Sequence, residues 1–289
     1  MKTLEETYSK KSLGLFSQYV RRHFDYDDVI TDKSSFDNDF IDVPLVDDVN
    51  DLDGLVLKTV LDEDYPTTLL KTFARTLVLV CKGNMSLLNE PFENKVALYI
   101  ENEVTPSNLT RFMKFTDTLS DEKKYVFFHH GDLGSDYALR AVLDVVTKDL
   151  VVVVPYGLKS KTVDEDDVRE DMFDEVIDNN GLIISTSSPK DDGNYFTRES
   201  AMEVFLGLGE AVIFSSISNE KDLTKKTLEW AFITGKIPFT LNRDKGICEF
   251  SDKNNIVLDK LFFIDNFQKA VRIIKEAYLQ LEALSDEND

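Results

Sequence analysis

Residues 124–155 read KYVFFHHGDLGSDYALRAVLDVVTKDLVVVVP, and their pattern decides the fold class. An apolar run of aromatic and β-branched residues passes through Gly131 and Gly134 into a helical pattern. The chain then returns to a run of four valines, 151–154. Neither run alternates between apolar and polar residues. A strand exposed on one face alternates; a strand covered on both faces does not. Two such strands joined through a helix form a parallel crossover unit, and in a parallel sheet helices cover both faces.

The same unit recurs on either side. Further strands are predicted at 76–81, 95–100, 182–186, 210–216 and 236–241, with helices at 107–119, 135–147, 167–179, 197–208 and 222–234. Asn180-Gly181 and Gly235 stand where helix C-caps need a positive φ. The expected fold is α/β, a Rossmann-like doubly wound, mostly parallel sheet. A short helix is expected at 12–23, then irregular structure or a small lobe to residue 60, and a long amphipathic helix at 265–284. The expected division is a small acidic N-terminal region, 1–60, followed by an extended Rossmann-like domain with its C-terminal helix, 61–289.

The charge distribution is uneven. The formal net charge is −21. Residues 25–64 carry fourteen acids against Lys33 and Lys58, a net of −12, and residues 163–178 carry nine acids against Arg169, a net of −8. Such blocks read as solvated faces, or as a field that repels or mimics a polyanion. No apolar run reaches the ~18–20 residues that span a bilayer, and the first residues lack the apolar core of a signal peptide. The expected location is the cytoplasm, without membrane association. Cys81 and Cys248 are too few for a disulfide framework or a cysteine zinc site.

In an open α/β sheet, ligands bind beyond the carboxyl ends of the strands. The segment KVALYIENEVTP, 95–106, ends its strand in Glu101, Asn102 and Glu103, where phosphate-binding folds place glycines. After the next strand, Gly134 and Ser135 precede a helix and can hold an anion, or can simply form its N-cap through Ser135 or Asp136. His129 and His130 adjoin on a strand and point to opposite faces, so no metal site is expected. The loop VPYGLKSK, 154–161, offers Gly157, Lys159 and Lys161 to a phosphate, and reads equally as a turn with two solvated lysines. Tyr195, Phe196 and Arg198 can stack on and neutralise a single strand, or pack beneath their loop. Lys221, Lys225 and Lys226 surround a helix start, where cations oppose the macrodipole unless an anion binds. There is no G-x-G-x-x-G, Walker A, G-x-S-x-G or H-E-x-x-H sequence, so no catalytic residue and no cofactor is expected.

With these residues in view, the chain resembles the DprA/Smf family of DNA-processing proteins. The resemblance rests on Tyr65, Pro66, Leu69 and Leu70, then on Lys82, Gly83, Asn84, Leu87 and Leu88, which match a Lys-Gly-Asn-x-x-Leu-Leu motif. It continues through Gly134, Asp136 and Ala138, through Gly157 and Leu158, through Phe196, Arg198, Gly207, Leu208, Ala211 and Val212, and through Thr227, Ala231, Gly235 and Phe239. It covers roughly residues 62–275 and implies a non-enzymatic, homodimeric protein that binds single-stranded DNA and loads RecA during transformation. The nucleic-acid-binding candidates are then Gly134, Ser135, Gly157, Lys159, Lys161, Arg198, Lys225 and Thr227. The chain departs from the family at its phosphate-facing positions. Its first strand ends Ile100, Glu101, Asn102 where the family has Gly-Ser-Arg. The second arginine of the Phe196 segment falls near Glu203, and a glycine-serine loop becomes Asp222, Leu223 and Thr224. Two alternatives stand beside this reading: an interaction protein that keeps the fold and has lost the DNA site, and a small-nucleotide binder.

Overall fold

A computed structural model describes residues 8–21, 45–71, 76–90, 95–102, 104–117, 124–164, 167–216 and 223–240. The helix expected at 265–284 lies outside these residues.

Among the described residues, eight strands form one sheet: β1 (Val56–Thr59), β2 (Val78–Gly83), β3 (Lys95–Tyr99), β4 (Lys124–Phe128), β5 (Leu150–Val154), β6 (Leu182–Ser185), β7 (Ala211–Phe214) and β8 (Ile237–Thr240). Their order across the sheet is β1-β2-β6-β5-β4-β3-β7-β8. From β6 to β8 all neighbours are parallel, while β1–β2 and β2–β6 are antiparallel. Residues 95–99 and 150–154 are buried without exception, which accounts for the unbroken apolar sequence of 96–99 and 150–154, while the buried Lys95 ammonium donates to the Leu88 carbonyl at 2.9 Å. The fold is therefore the mixed, mostly parallel α/β sheet that the sequence predicts.

Strand β1 was not expected. It replaces irregular structure over residues 56–59, and its burial alternates because one face is half-exposed. Four alternating residues among aspartates are too short a signal to read. The described part of the first sixty residues also shares the core: Leu13, Leu15, Phe16, Val49, Leu52 and Leu57 join the same buried cluster as the sheet.

Among the described residues the helices of more than one turn and a half are α1 (Lys10–Arg21), α2 (Pro106–Asp117), α3 (Leu133–Leu143), α4 (Asp167–Asp178), α5 (Tyr195–Leu208) and α6 (Leu223–Ile233), with a four-residue helix, Lys161–Asp164, before α4. Right-handed crossovers put α2, α3 and α4 on one face and α5 and α6 on the other. The ring contacts agree. Phe205 of α5 meets Tyr99 and Phe128, with centroids 6.3 and 5.9 Å away, whereas Phe173 of α4 meets His129 at 6.0 Å. As expected, Asn180 and Gly235 adopt positive φ, 64° and 71°, at the ends of α4 and α6.

The Lys82-Gly83-Asn84 segment lies where β2 joins β6. Gly83 has φ 112°, and a Cβ there would come 2.4 Å from the Gly181 carbonyl oxygen, so only glycine fits. That carbonyl instead accepts the Asn84 N–H at 2.8 Å, and Asn84 caps the following turn. This motif builds the join between strands and lies away from the crevice described next. Among the described residues, no helix is long and apolar enough to cross a membrane.

Candidate nucleic-acid interface

The strand order reverses between β3 and β7, which makes the crevice beyond their carboxyl ends the ligand position of this architecture. Glu101 fills it. The residue is 1% exposed. Its N–H donates to Ser215 Oγ at 3.1 Å, and Ser216 Oγ donates to its carboxylate. Below it, Ser215 N–H donates to the Tyr99 carbonyl at 3.0 Å, and Thr224 Oγ1, at the start of α6, lies 3.3 Å from Tyr99 Oη. The acidic strand end is thus the protein's own anion, seated where a phosphate would enter. Next to it, Asn102 Nδ2 donates to Asp132 Oδ2 at 2.6 Å.

The start of α3 is also closed from within. Asp132 is the N-cap, not Ser135 or Asp136. Its carboxylate accepts the Ser135 N–H at 3.0 Å, and the Ser135 hydroxyl accepts the Asp132 N–H at 3.0 Å, a reciprocal capping box. Ser135 is buried, and a Cβ on Gly134 would lie 3.0 Å from the Asn102 carbonyl oxygen. These two candidates therefore hold the helix start against the neighbouring loop.

Behind them lies a buried polar cluster. Gly131 N–H donates to His129 Nδ1 at 3.1 Å, which leaves the ring proton on Nε2 to donate to Asp136 Oδ1 at 2.7 Å. Arg169 donates to both Asp136 oxygens, at 2.9 and 2.5 Å, and to the Thr162 carbonyl. Burial pushes the Asp136 carboxyl up, but the hydrogen bonds and charge of His129 and Arg169 outweigh it and bring it down to about 2. Burial lowers His129 from its ordinary value of 6.5 by more than Asp136 raises it, so the ring is neutral near neutral pH. His130 points the other way, into the rings of Tyr99 and Phe128 at 5.1 and 4.8 Å. The two histidines diverge, as a strand requires.

Past β5, Gly157 passes against the Ser188–Pro189 backbone. A Cβ there would sit 2.0 Å from the Ser188 carbonyl oxygen, so close approach explains the glycine. Lys159 N–H donates to the Pro189 carbonyl at 2.7 Å, and its ammonium reaches back to the Asp53 carbonyl at 2.5 Å. Lys161 is exposed, while its N–H donates to the Asp192 carboxylate at 3.0 Å. Thr227 is fully buried, donating to the Leu223 carbonyl at 2.8 Å within α6. Lys225 lies on α6, and its side chain is outside the described residues. Its neighbour Lys226 is neutralised from inside by Glu199 and lies over the Tyr195 and Trp230 rings at 5.2 and 5.1 Å.

One helix start differs. Asn194 caps α5 through the Phe196 and Thr197 N–H groups, a neutral cap. Just beyond it, Tyr195 and Phe196 are 60% and 65% exposed, their rings 5.8 Å apart in an edge contact. Arg198 follows within the same turn, only partly buried. Because α5 runs antiparallel to the strands, this aromatic pair and its cation stand at the carboxyl edge of the sheet. The structure thus gathers Gly157, Lys159 and Lys161 in one loop and Gly134 and Ser135 in another, with Arg198 beside the exposed rings and Thr227 inside the core.

The architecture defines a Rossmann-like α/β protein with an antiparallel two-strand extension. Among the solved structures that share its fold are two DNA-processing proteins. One is DNA processing protein A (DprA) from Streptococcus pneumoniae, with a TM-score of 0.62 and 19% identity, covering 93% of this chain and 95% of that one. The other is DNA processing protein A from Helicobacter pylori, a structure concerned with that protein's single-stranded DNA binding mode. It has a TM-score of 0.57 and 20% identity, and covers 76% of this chain and 96% of that one. No protein-family model matches the sequence, and no curated protein does.

Proposed function

We propose that the protein is a DprA-like DNA-processing protein that binds single-stranded DNA along the carboxyl edge of its sheet, with the switch-point phosphate site replaced by Glu101. The observation that carries this reading is the exposed Tyr195–Phe196 pair beside Arg198. Bases stack on aromatic faces without regard to sequence, and a cation beside the stack balances the phosphates. Lys161 adds an exposed cation at the same edge. The wider role implied by the resemblance belongs to the same proposal: a cytoplasmic homodimer with no chemical step of its own, delivering single strands to RecA. Fluorescence anisotropy of a labelled oligothymidylate, at two salt concentrations, tests it. Binding that weakens as salt rises is expected; absence of binding at low salt overturns it.

The buried Glu101 favours a second reading, a protein that keeps the fold and acts through protein partners alone. An absence of oligonucleotide binding by folded protein is the result that selects it.

A further inference from the structure

Within the acidic block near the N-terminus, residues 48–53 are bound to the sheet's carboxyl-edge loops. A short 3-10 helix, Asp47–Leu52, is anchored by the buried side chains of Val49 and Leu52. Val46 N–H donates to Ser17 Oγ of α1 at 3.3 Å. The polar side of the turn meets the loops after β5 and β6. Lys159 Nζ donates to the Asp53 carbonyl at 2.5 Å, Lys190 Nζ lies 2.6 Å from Asp51 Oδ1, and Ser188 Oγ donates to the Asp48 carboxylate. The turn thus sits on two loops at the edge where phosphates would arrive: Asp51 pairs with Lys190, Asp48 accepts from Ser188, and the backbone at Asp53 holds Lys159 beside these acids. The contacts are partly solvated: the Lys190 side chain is 65% exposed and that of Asp51 is 25% exposed. An exposed ion pair such as Lys190–Asp51 is weak, so an incoming polyanion can replace it.

We infer that residues 45–53 form an acidic strap that occupies Lys159 and Lys190 and competes within the molecule against nucleic-acid phosphates. This rests on the DNA-binding reading and adds regulation to it. The strap sets how much of the loops' positive charge a single strand meets, so displacing its acids raises affinity through charge alone.

The test uses the full chain and a labelled oligothymidylate. Asp48→Asn with Asp51→Asn should bind about three- to tenfold tighter than wild type at low salt, with the gain shrinking at high salt. Adding Lys190→Ala should abolish the gain. Asp51→Asn alone leaves Asp48 and the apolar anchors in place and should give a smaller gain of the same sign, with an unchanged thermal melt. Equal binding by wild type and the double variant overturns the strap while DNA binding stands. Loss of binding in every protein overturns both.

Discussion

Two helix starts at the same edge of the sheet have opposite characters. The start of α3 is sealed: Asp132 caps it, Ser135 closes the box, and Asn102 ties it to the loop carrying Glu101. The start of α5 has a neutral cap and turns two aromatic rings to solvent. Both follow a strand, and both are closed by a reciprocal capping box, Asp132–Ser135 in α3 and Asn194–Thr197 in α5. Charge and exposure separate them. Where an internal carboxylate already satisfies the amides, an external phosphate gains little and must displace a buried group. Where the cap is neutral and rings are exposed, stacking surface and a cation remain available.

The largest effect should come from breaking the sealed side. Asp136→Ala leaves Arg169, whose side chain is 6% exposed, as a buried charge without its carboxylate. Urea unfolding should show a loss of about 3–5 kcal/mol. Should the loss fall within the ordinary surface range, the cluster does not brace α3 and α4.

The same cluster makes stability depend on acid. Asp136 is held below its unfolded value of 3.8, so its contribution is complete above about 4 and disappears as pH falls toward about 2. His129 is also held below its unfolded value of 6.5, so stability begins to fall as pH drops below that value, where the unfolded chain takes up the proton first. A pH series of thermal melts should show both limbs, and His129→Gln should remove the upper one.

On the open side, Tyr195→Ala with Phe196→Ala should weaken oligothymidylate binding by roughly tenfold or more, since each stacked base contributes about 1–3 kcal/mol. Stability should hardly change, because the rings are exposed. Unaltered affinity would erase the distinction between the two helix starts.

Lys159→Glu with Lys161→Glu should weaken binding less and flatten its salt dependence by about one to two counterions. Smaller still, Glu101→Gln removes the internal charge at the switch point while keeping a hydrogen-bond acceptor for Ser216. Affinity measured by anisotropy should rise by less than the aromatic pair's variant loses.

Much of the fold was legible because buried parallel strands write themselves as unbroken apolar runs. LVVVV at 150–154 and VALY at 96–99 needed no tertiary information. The helix ends at Asn180 and Gly235 were legible too, because a left-handed residue restricts side-chain choice. Strand β1 was not, since four alternating residues carry too weak a signal beside so many aspartates. The site was legible in part. Residues of the right type could be gathered at strand ends, yet Thr227 proved to be a core hydroxyl and Lys226 a partner of Glu199. Sequence spacing places a residue on an element without saying which side of that element a distant helix will cover.

By itself, the sequence determined the layered α/β architecture, the alternation of strands and helices from β2 onward, and the acidity of the strand end at Glu101. Each depends on local propensity and periodicity, which act over a few residues. Tertiary structure alone decided that Glu101 closes the switch point with Ser215 and Ser216, more than a hundred residues away, that Asp51 pairs with Lys190, and that the Asp53 carbonyl takes up Lys159. The physical reason is that desolvation and pairing of charge depend on neighbours through space, and the sheet order that makes those neighbours is set by the packing of the whole core.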